Sequence, residues 1–168
     1  SDNGPVIDDG YQDESVEKLK NHKASGPFRG GKYSSFEAAT RVPFIVHWPG
    51  QVDSGVSGAL VSQIDMLGTF SELAGYYVEE SKLVDSRKEL KTWLGKDLIG
   101  RDYLIGSANS LMILTKEWKY IEPSNASPYQ ALTNIELGNS PKDQLYNMKI
   151  DRGEYDNVAE ENPLMVRF

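Results

Sequence analysis

Among the polar residues of the first 32 positions, four stand where their types could do chemistry: Asp2, Asn3, His22 and Lys32. Asp2 and Asn3 are adjacent oxygen donors ahead of Gly4. A carboxylate and an amide carbonyl suit a hard cation such as Ca²⁺ or Mg²⁺, which gathers about six to eight oxygen ligands. The same tripeptide also reads as a tight turn, because Asn-Gly is a favoured hairpin dipeptide. Lys32 follows Gly30 and Gly31. Glycines let a backbone come close to a ligand, and an ammonium placed there can meet an anionic oxygen; the plainer reading is a solvated loop lysine. His22, on the approach to that loop, is of the type that binds or protonates an anionic substrate, or else simply faces solvent.

Other polar residues read more simply. Glu37 and Arg41 are spaced i,i+4, as expected of a structural ion pair worth a few tenths of a kcal/mol (order of magnitude) if exposed. His47, between Val46 and Trp48, reads as a packed strand residue, and Trp93, Trp118 and the tyrosines as core more than as a sugar platform. A net charge of −7, with no long Lys/Arg run, argues against a nucleic-acid partner, though a local basic pocket for an anion stays open. The chain has no cysteine, so neither a disulfide nor a thiolate metal site is available. No apolar run approaches the roughly 20 residues of a membrane span.

The elements that must hold these residues follow from pattern. "YQDESVEKLKNHK" suits a short amphipathic helix, and "ASGPFRGGKYSS" a glycine-rich loop. In "SSFEAATR", Ser34 and Glu37 have capping-box spacing. "FIVHW", closed by Pro49-Gly50, reads as a buried strand. "VSQIDMLGTFSELAG" is the clearest helix, with Ile64, Leu67, Phe70 and Leu73 at helical spacing and Gly75 as C-cap. Residues 76–97 read as loop with a short helix around "SRKELKTWL". "DYLIGS", "LMILTKEWKYIEP" and "DQLYNM" read as strands, with a hairpin turn at Thr115-Lys116-Glu117, and "EYDNVAEENPLMVRF" as a closing helix interrupted by Pro163. The order predicts an α/β segment over 1–97 and an antiparallel α+β segment over 98–168.

In sequence order, "SDNGP", "GKYSSFEAATRVPFIVHWPG", "SQIDMLGTFSELAG", "LTKEWKYI" and "QLYNMKIDRGEYDNVAE" resemble the C-terminal half of the sulfatase family, within the alkaline-phosphatase superfamily. The resemblance runs along most of the chain and is poorest over 76–97. It implies the end of an alkaline-phosphatase-like α/β core followed by a small antiparallel sheet with a closing helix. It also implies that Asp2 and Asn3 are two ligands of a divalent cation, usually Ca²⁺. Lys32 falls on the lysine that contacts the substrate's sulfate, a catalytic and substrate-binding role, with His22 a further candidate for substrate binding. The formylglycine nucleophile and the other metal aspartates are expected upstream, in an N-terminal part of the same protein. Alone, the chain is therefore expected to be inactive.

Activity in the intact parent is expected to be hydrolysis of sulfate esters, sulfated glycans among them, in the periplasm or outside the cell. A phosphoesterase or phosphonate hydrolase of the superfamily, or a non-catalytic module binding sulfated glycan, are the alternatives; the E-x-x-x-R-x-P block after Lys32 favours sulfatase. The sequence departs from the family pattern at Ala38-Ala39, where Gly-Gly is usual, at Gly68, where Pro is common, and at Arg152-Gly153. "SGPFR", from Ser25 to Arg29, matches the nucleophile pattern C/S-x-P-x-R but lies after D-N-G instead of before it. Serine needs a base or a modification to act, and neither is evident beside Ser25.

Overall fold

A computed structural model describes residues 1–167. In chain order the elements are α1 (Ser15–Leu19), α2 (Glu37–Thr40), a 3-10 turn (Gln63–Asp65), α3 (Met66–Leu73), α4 (Glu80–Leu83) and α5 (Leu90–Trp93). The strands follow: β1 (Tyr103–Ser107), β2 (Leu111–Thr115), β3 (Trp118–Ile121), β4 (Tyr129–Gln130), β5 (Ile135–Glu136) and β6 (Gln144–Asn147). Helices followed by a small antiparallel sheet match the expected fold class. By contacts the chain forms two compact units, Ser1–Pro43 with Ile105–Phe168, and Phe44–Leu104. The expected segments, 1–97 and 98–168, divide the chain by sequence order, whereas these units group the first 43 residues with the C-terminal sheet.

In the first unit the sheet runs β1-β2-β3-β6. The β2–β3 hairpin is antiparallel, with Met112 opposite Ile121 and Leu114 opposite Lys119. The hairpin forms as expected, with its turn narrowed to Lys116-Glu117 because Thr115 ends β2, and the Thr115 hydroxyl accepts the Trp118 N–H at 2.9 Å. β6 pairs antiparallel with the other edge of β3, placing Tyr146 opposite Lys119. Phe36, Met112, Ile121, Tyr146 and Met148 make the apolar core. Phe36 meets Tyr146 edge-on, with ring centroids 6.2 Å apart. Period-two alternation along β3 sends Lys119 to the same buried face as Ile121, and both side chains are fully buried.

In the second unit α3 forms where the periodicity places it. Gly75, at φ +65°, ends it in a Schellman arrangement: Tyr76 N–H donates to Ser71 O at 2.8 Å and Gly75 N–H to Glu72 O at 3.1 Å. Its apolar stripe, however, is open. Ile64, Leu67, Phe70 and Leu73 are 42–54% exposed, while Asp65, Gly68, Thr69 and Ser71 are buried. Asp65 takes two hydrogen bonds from the Arg101 guanidinium, at 2.7 and 2.5 Å, and one from the Arg87 N–H at 2.7 Å. Gly68 is required here: a Cβ would meet Arg87 O at 2.5 Å, and its N–H donates to the Ser86 hydroxyl, a bond that proline cannot make.

Four local expectations are corrected. "FIVHW" forms no strand; Phe44, Ile45 and Trp48 are exposed, and no strand pairs with them among the described residues. A strand needs a neighbour for its backbone groups, whatever its side chains. His47 is accordingly exposed, not packed. The closing helix is instead a run of turns at 159–161 and 163–165, Phe168 lying outside the described residues. There the Asn157 side chain takes the N–H groups of Leu145 and Ala159, and Val158 N–H bonds Leu145 O, so the start of the segment is tied to β6 and only short turn bonds, such as Asn162 N–H to Ala159 O, follow. The capping box at Ser34 is also absent. Ser34 accepts the Phe36 N–H, and Phe36 takes the N-cap position with no side-chain cap.

Candidate functional site

Two backbone hydrogen bonds join the Asp2 segment to the Lys32 loop. Gly4 N–H donates to Ala39 O at 2.7 Å, and Lys32 N–H donates to Pro5 O at 2.9 Å. Glycine makes the approach possible on both sides. A Cβ at Gly4 would lie 1.7 Å from Ala38 O, and one at Gly31 would lie 2.7 Å from Pro5 O. The oxygen donors and the lysine, separate in sequence, are thereby carried on adjoining segments. Asp2 is exposed, and Asn3 is half-buried with its amide nitrogen donating to Gly4 O at 2.8 Å. The Lys32 ammonium lies 5.3 Å from the centroid of the Tyr33 ring, and no carboxylate pairs with it among the described residues. An ammonium without a carboxylate partner is available to an anion.

Asp2 and Asn3 fit a hard cation by donor type, since both offer oxygen. They fit as part of a ligand set only: no group of three or more His, Cys, Asp or Glu that could hold a metal occurs among the described residues. His22 is exposed after α1, and neither bond joining the Asp2 segment to the Lys32 loop involves it. The Ser25 hydroxyl donates to Gly30 O at 3.4 Å within its own loop, and no hydrogen bond joins it to a base among the described residues. That loop also borders a cavity of about 290 Å³ lined in part by Pro5, Gly30, Thr133 and Ile135.

Beneath the Lys32 loop lies an ion cluster that sequence reasoning missed. Lys119, fully buried, lies 2.8 Å from Glu154 Oε1 and 3.2 Å from Glu37 Oε1. Arg41 Nε reaches Glu37 Oε2 at 2.6 Å, so the expected i,i+4 pair forms, but with a buried carboxylate. The Glu37 N–H donates to Glu154 Oε2 at 2.5 Å. Arg29 binds both carboxylate oxygens of Glu136, at 2.7 and 2.5 Å, stacks over the Phe36 ring at 4.1 Å, and donates to Glu154 O at 2.5 Å. Three carboxylates thus face three cations, and the cluster is neutral when all are ionised.

Burial pushes the Glu154 carboxyl up to about 7, against the opposing pull of Lys119 and the Glu37 N–H. Burial likewise pushes the Tyr146 phenol up to about 12. Hydrogen bonds donated to Glu136 hold the Arg29 guanidinium above its ordinary value. One signal for this cluster was available: alternation in "WKYI" puts Lys119 on the face of Ile121, where a lysine requires carboxylates. Nothing local distinguished Glu136 or Glu154 as its partners.

Residues 1–76 match the sulfatase family model. N-acetylgalactosamine-6-O-sulfatase of Bacteroides thetaiotaomicron is 47% identical over 99% of this chain and 33% of the relative. The rat N-acetylgalactosamine-6-sulfatase is 33% identical over 68% of this chain and 21% of the relative. A solved structure from work on glycosaminoglycan metabolism by Bacteroides thetaiotaomicron aligns with 99% of this chain and 35% of its own, at a TM-score of 0.94 and 47% identity. A structure of Ps i-CgsB, at 24% identity and a TM-score of 0.68 over 98% of this chain and 32% of its own, shows likeness of fold alone. The chain spans a third or less of the length of these curated relatives. With a fold and a sequence shared with sulfatases along nearly its whole length, the chain belongs to the sulfatase family.

Proposed function

We propose that this chain is the C-terminal portion of a sulfatase that hydrolyses sulfate esters of glycans, with a sulfated amino sugar as the first candidate substrate. The observation that carries the reading is the pair of hydrogen bonds, Gly4 to Ala39 and Lys32 to Pro5, that brings oxygen donors and a carboxylate-free ammonium onto adjoining segments. Asp2 and Asn3 would hold part of the coordination sphere of Ca²⁺ or Mg²⁺, which when bound supplies positive charge at the sulfate. Lys32 donates hydrogen bonds to a sulfate oxygen and stabilises the charge that grows as the ester S–O bond breaks, the kind of preorganised electrostatics that dominates many such reactions. The names of the relatives support an N-acetylgalactosamine 6-sulfate substrate.

The nucleophile, a formylglycine, and the remaining metal ligands belong to the rest of the polypeptide in this reading, and this chain alone turns over no substrate. Relatives about three times as long support it, and so does the open apolar stripe of α3, which the remainder of the sulfatase would cover. A polymeric sulfated glycan is met outside the cytoplasm, so the parent is periplasmic or secreted.

The test is Lys32→Ala in the intact polypeptide with p-nitrophenyl sulfate. Turnover falls roughly 10²–10³-fold, the scale of losing one stabilising group, and Lys32→Arg restores part of it. Wild-type turnover in both variants overturns the assignment of Lys32. Ca²⁺ titrated calorimetrically into this chain alone binds weakly, because two donors are far short of the roughly six to eight the ion takes. Tight stoichiometric binding would show a more complete site within the chain.

A further inference from the structure

We propose that Glu154 is a positioning residue for the Lys32 ammonium, gripping both ends of the loop from Arg29 to Glu37. The inference rests on the reading of Lys32 as the sulfate contact. At one end of the loop, the Arg29 guanidinium donates to the Glu154 carbonyl oxygen at 2.5 Å. At the other, the Glu37 N–H donates to the Glu154 carboxylate at 2.5 Å. One residue more than a hundred positions downstream in sequence therefore closes the loop that carries Lys32.

The conformation of Glu154 supports a specialised role. Its φ is +59°, in the left-handed region that a non-glycine residue seldom occupies, and its side chain is fully buried. Strained backbone of this kind gathers at functional sites and persists only where its surroundings hold it. Here the surroundings are ionic. The Lys119 ammonium lies 2.8 Å from Oε1 as an ion pair, and Oε2 accepts the Glu37 N–H. Glu37 is held in turn by Lys119 and Arg41, and Arg29 by Glu136.

Between the grips the loop is braced. Ser34 N–H bonds Gly31 O, and Ser35 N–H bonds Leu137 O. Gly30 has no room for a side chain, since a Cβ would lie 2.4 Å from the Ser34 hydroxyl. A braced loop transmits a shift at its ends to Lys32 instead of absorbing it. An ion cluster serving stability alone needs neither the left-handed backbone nor contact with both loop ends.

The test uses the intact polypeptide and p-nitrophenyl sulfate. Glu154→Gln keeps the size of the side chain and removes its charge. It lowers kcat about tenfold and moves KM less than about twofold, as expected when a contact made in the transition state is misplaced. Glu154→Asp retains the charge and recovers part of the loss. In the Lys32→Ala background, Glu154→Gln lowers kcat no further, because its effect runs through the absent ammonium. Hydrogen exchange over the peptide spanning residues 30–39 rises in Glu154→Gln, while that over β3 is unchanged.

An equal further loss of kcat in the double variant overturns the proposal, since Glu154 then acts independently of Lys32. Unchanged kcat in Glu154→Gln also overturns it. If Glu154→Gln does not fold, Glu154→Asp carries the same tests of double-variant kinetics and exchange. Wild-type turnover in Lys32→Ala overturns the sulfate reading instead. Exchange then decides the grip alone, and unchanged exchange over residues 30–39 overturns that too.

Discussion

The Lys119 cluster and helix α3 bury charge in similar ways and treat their apolar residues in opposite ways. Around Lys119, ionic groups lie inside with Phe36, Ile121 and Leu145, all almost fully buried. In α3, the Asp65–Arg101 pair is just as buried, but Leu67 and Phe70 are more than half exposed. The first region closes its own core: the sheet and the Lys32 loop supply apolar cover and countercharge together. The second turns its polar face inward, onto Arg101 and the 85–87 turn, and leaves its apolar face outward. An amphipathic helix buries its apolar stripe where it can. The α3 stripe is left open in this chain, whereas the apolar residues around the Lys119 cluster are enclosed.

The largest effect that would break this comparison comes from Lys119→Met, which removes the shared countercharge and leaves Glu37 and Glu154 buried together. Denaturant unfolding of this chain loses about 3–5 kcal/mol at neutral pH, the scale of breaking a buried pair. A loss below about 1 kcal/mol, the range of surface pairs, would show that the cluster is solvated and not part of the core.

Next in size is the pH dependence set by Glu154. Its folded value of about 7 lies above the ordinary 4.5, so between these values the native state holds a proton that the unfolded state has released. The contribution is complete below the unfolded value and is lost as pH rises through about 7, on the order of 3 kcal/mol in all. Other carboxylates add their own slopes, so the difference between wild type and Glu154→Gln isolates this one. Parallel stability curves for the two from pH 4 to pH 8 (roughly the span of the linkage) would contradict the burial-driven rise.

The smallest effect sharpens the other half of the comparison. Leu67→Gln on α3 changes the stability of this chain by no more than about 0.5 kcal/mol, as at an exposed position. Leu145→Ala, in the buried core, costs about 2–5 kcal/mol. A loss of several kcal/mol at Leu67 would mean that its face is covered in this chain after all.

Local patterns carried much of the fold. The hairpin at Thr115–Trp118 was legible because two apolar runs flank a polar two-residue turn. Helix α3 was legible because its periodicity and its C-capping Gly75 agree. "FIVHW" and the closing segment were misread for one reason: apolar or helical composition sets a preference, but backbone hydrogen-bond partners decide the outcome. Among the described residues no strand lies beside residues 44–48, and Asn157 with Leu145 took groups that the start of a closing helix would have used.

For the site, sequence by itself determined the chemical types and the short-range order. Asp2 and Asn3 are oxygen donors wherever they lie, and Gly30-Gly31 before Lys32 permits close approach under any fold. Only the tertiary structure decided that the two motifs adjoin, through Gly4–Ala39 and Pro5–Lys32, and that Glu136 and Glu154 are the partners of Arg29 and Lys119. The physical reason is that burial and pairing are properties of neighbours in space. A glutamate looks solvated in any sequence window, and becomes a buried, strained grip on a distant loop only when the sheet and that loop enclose it.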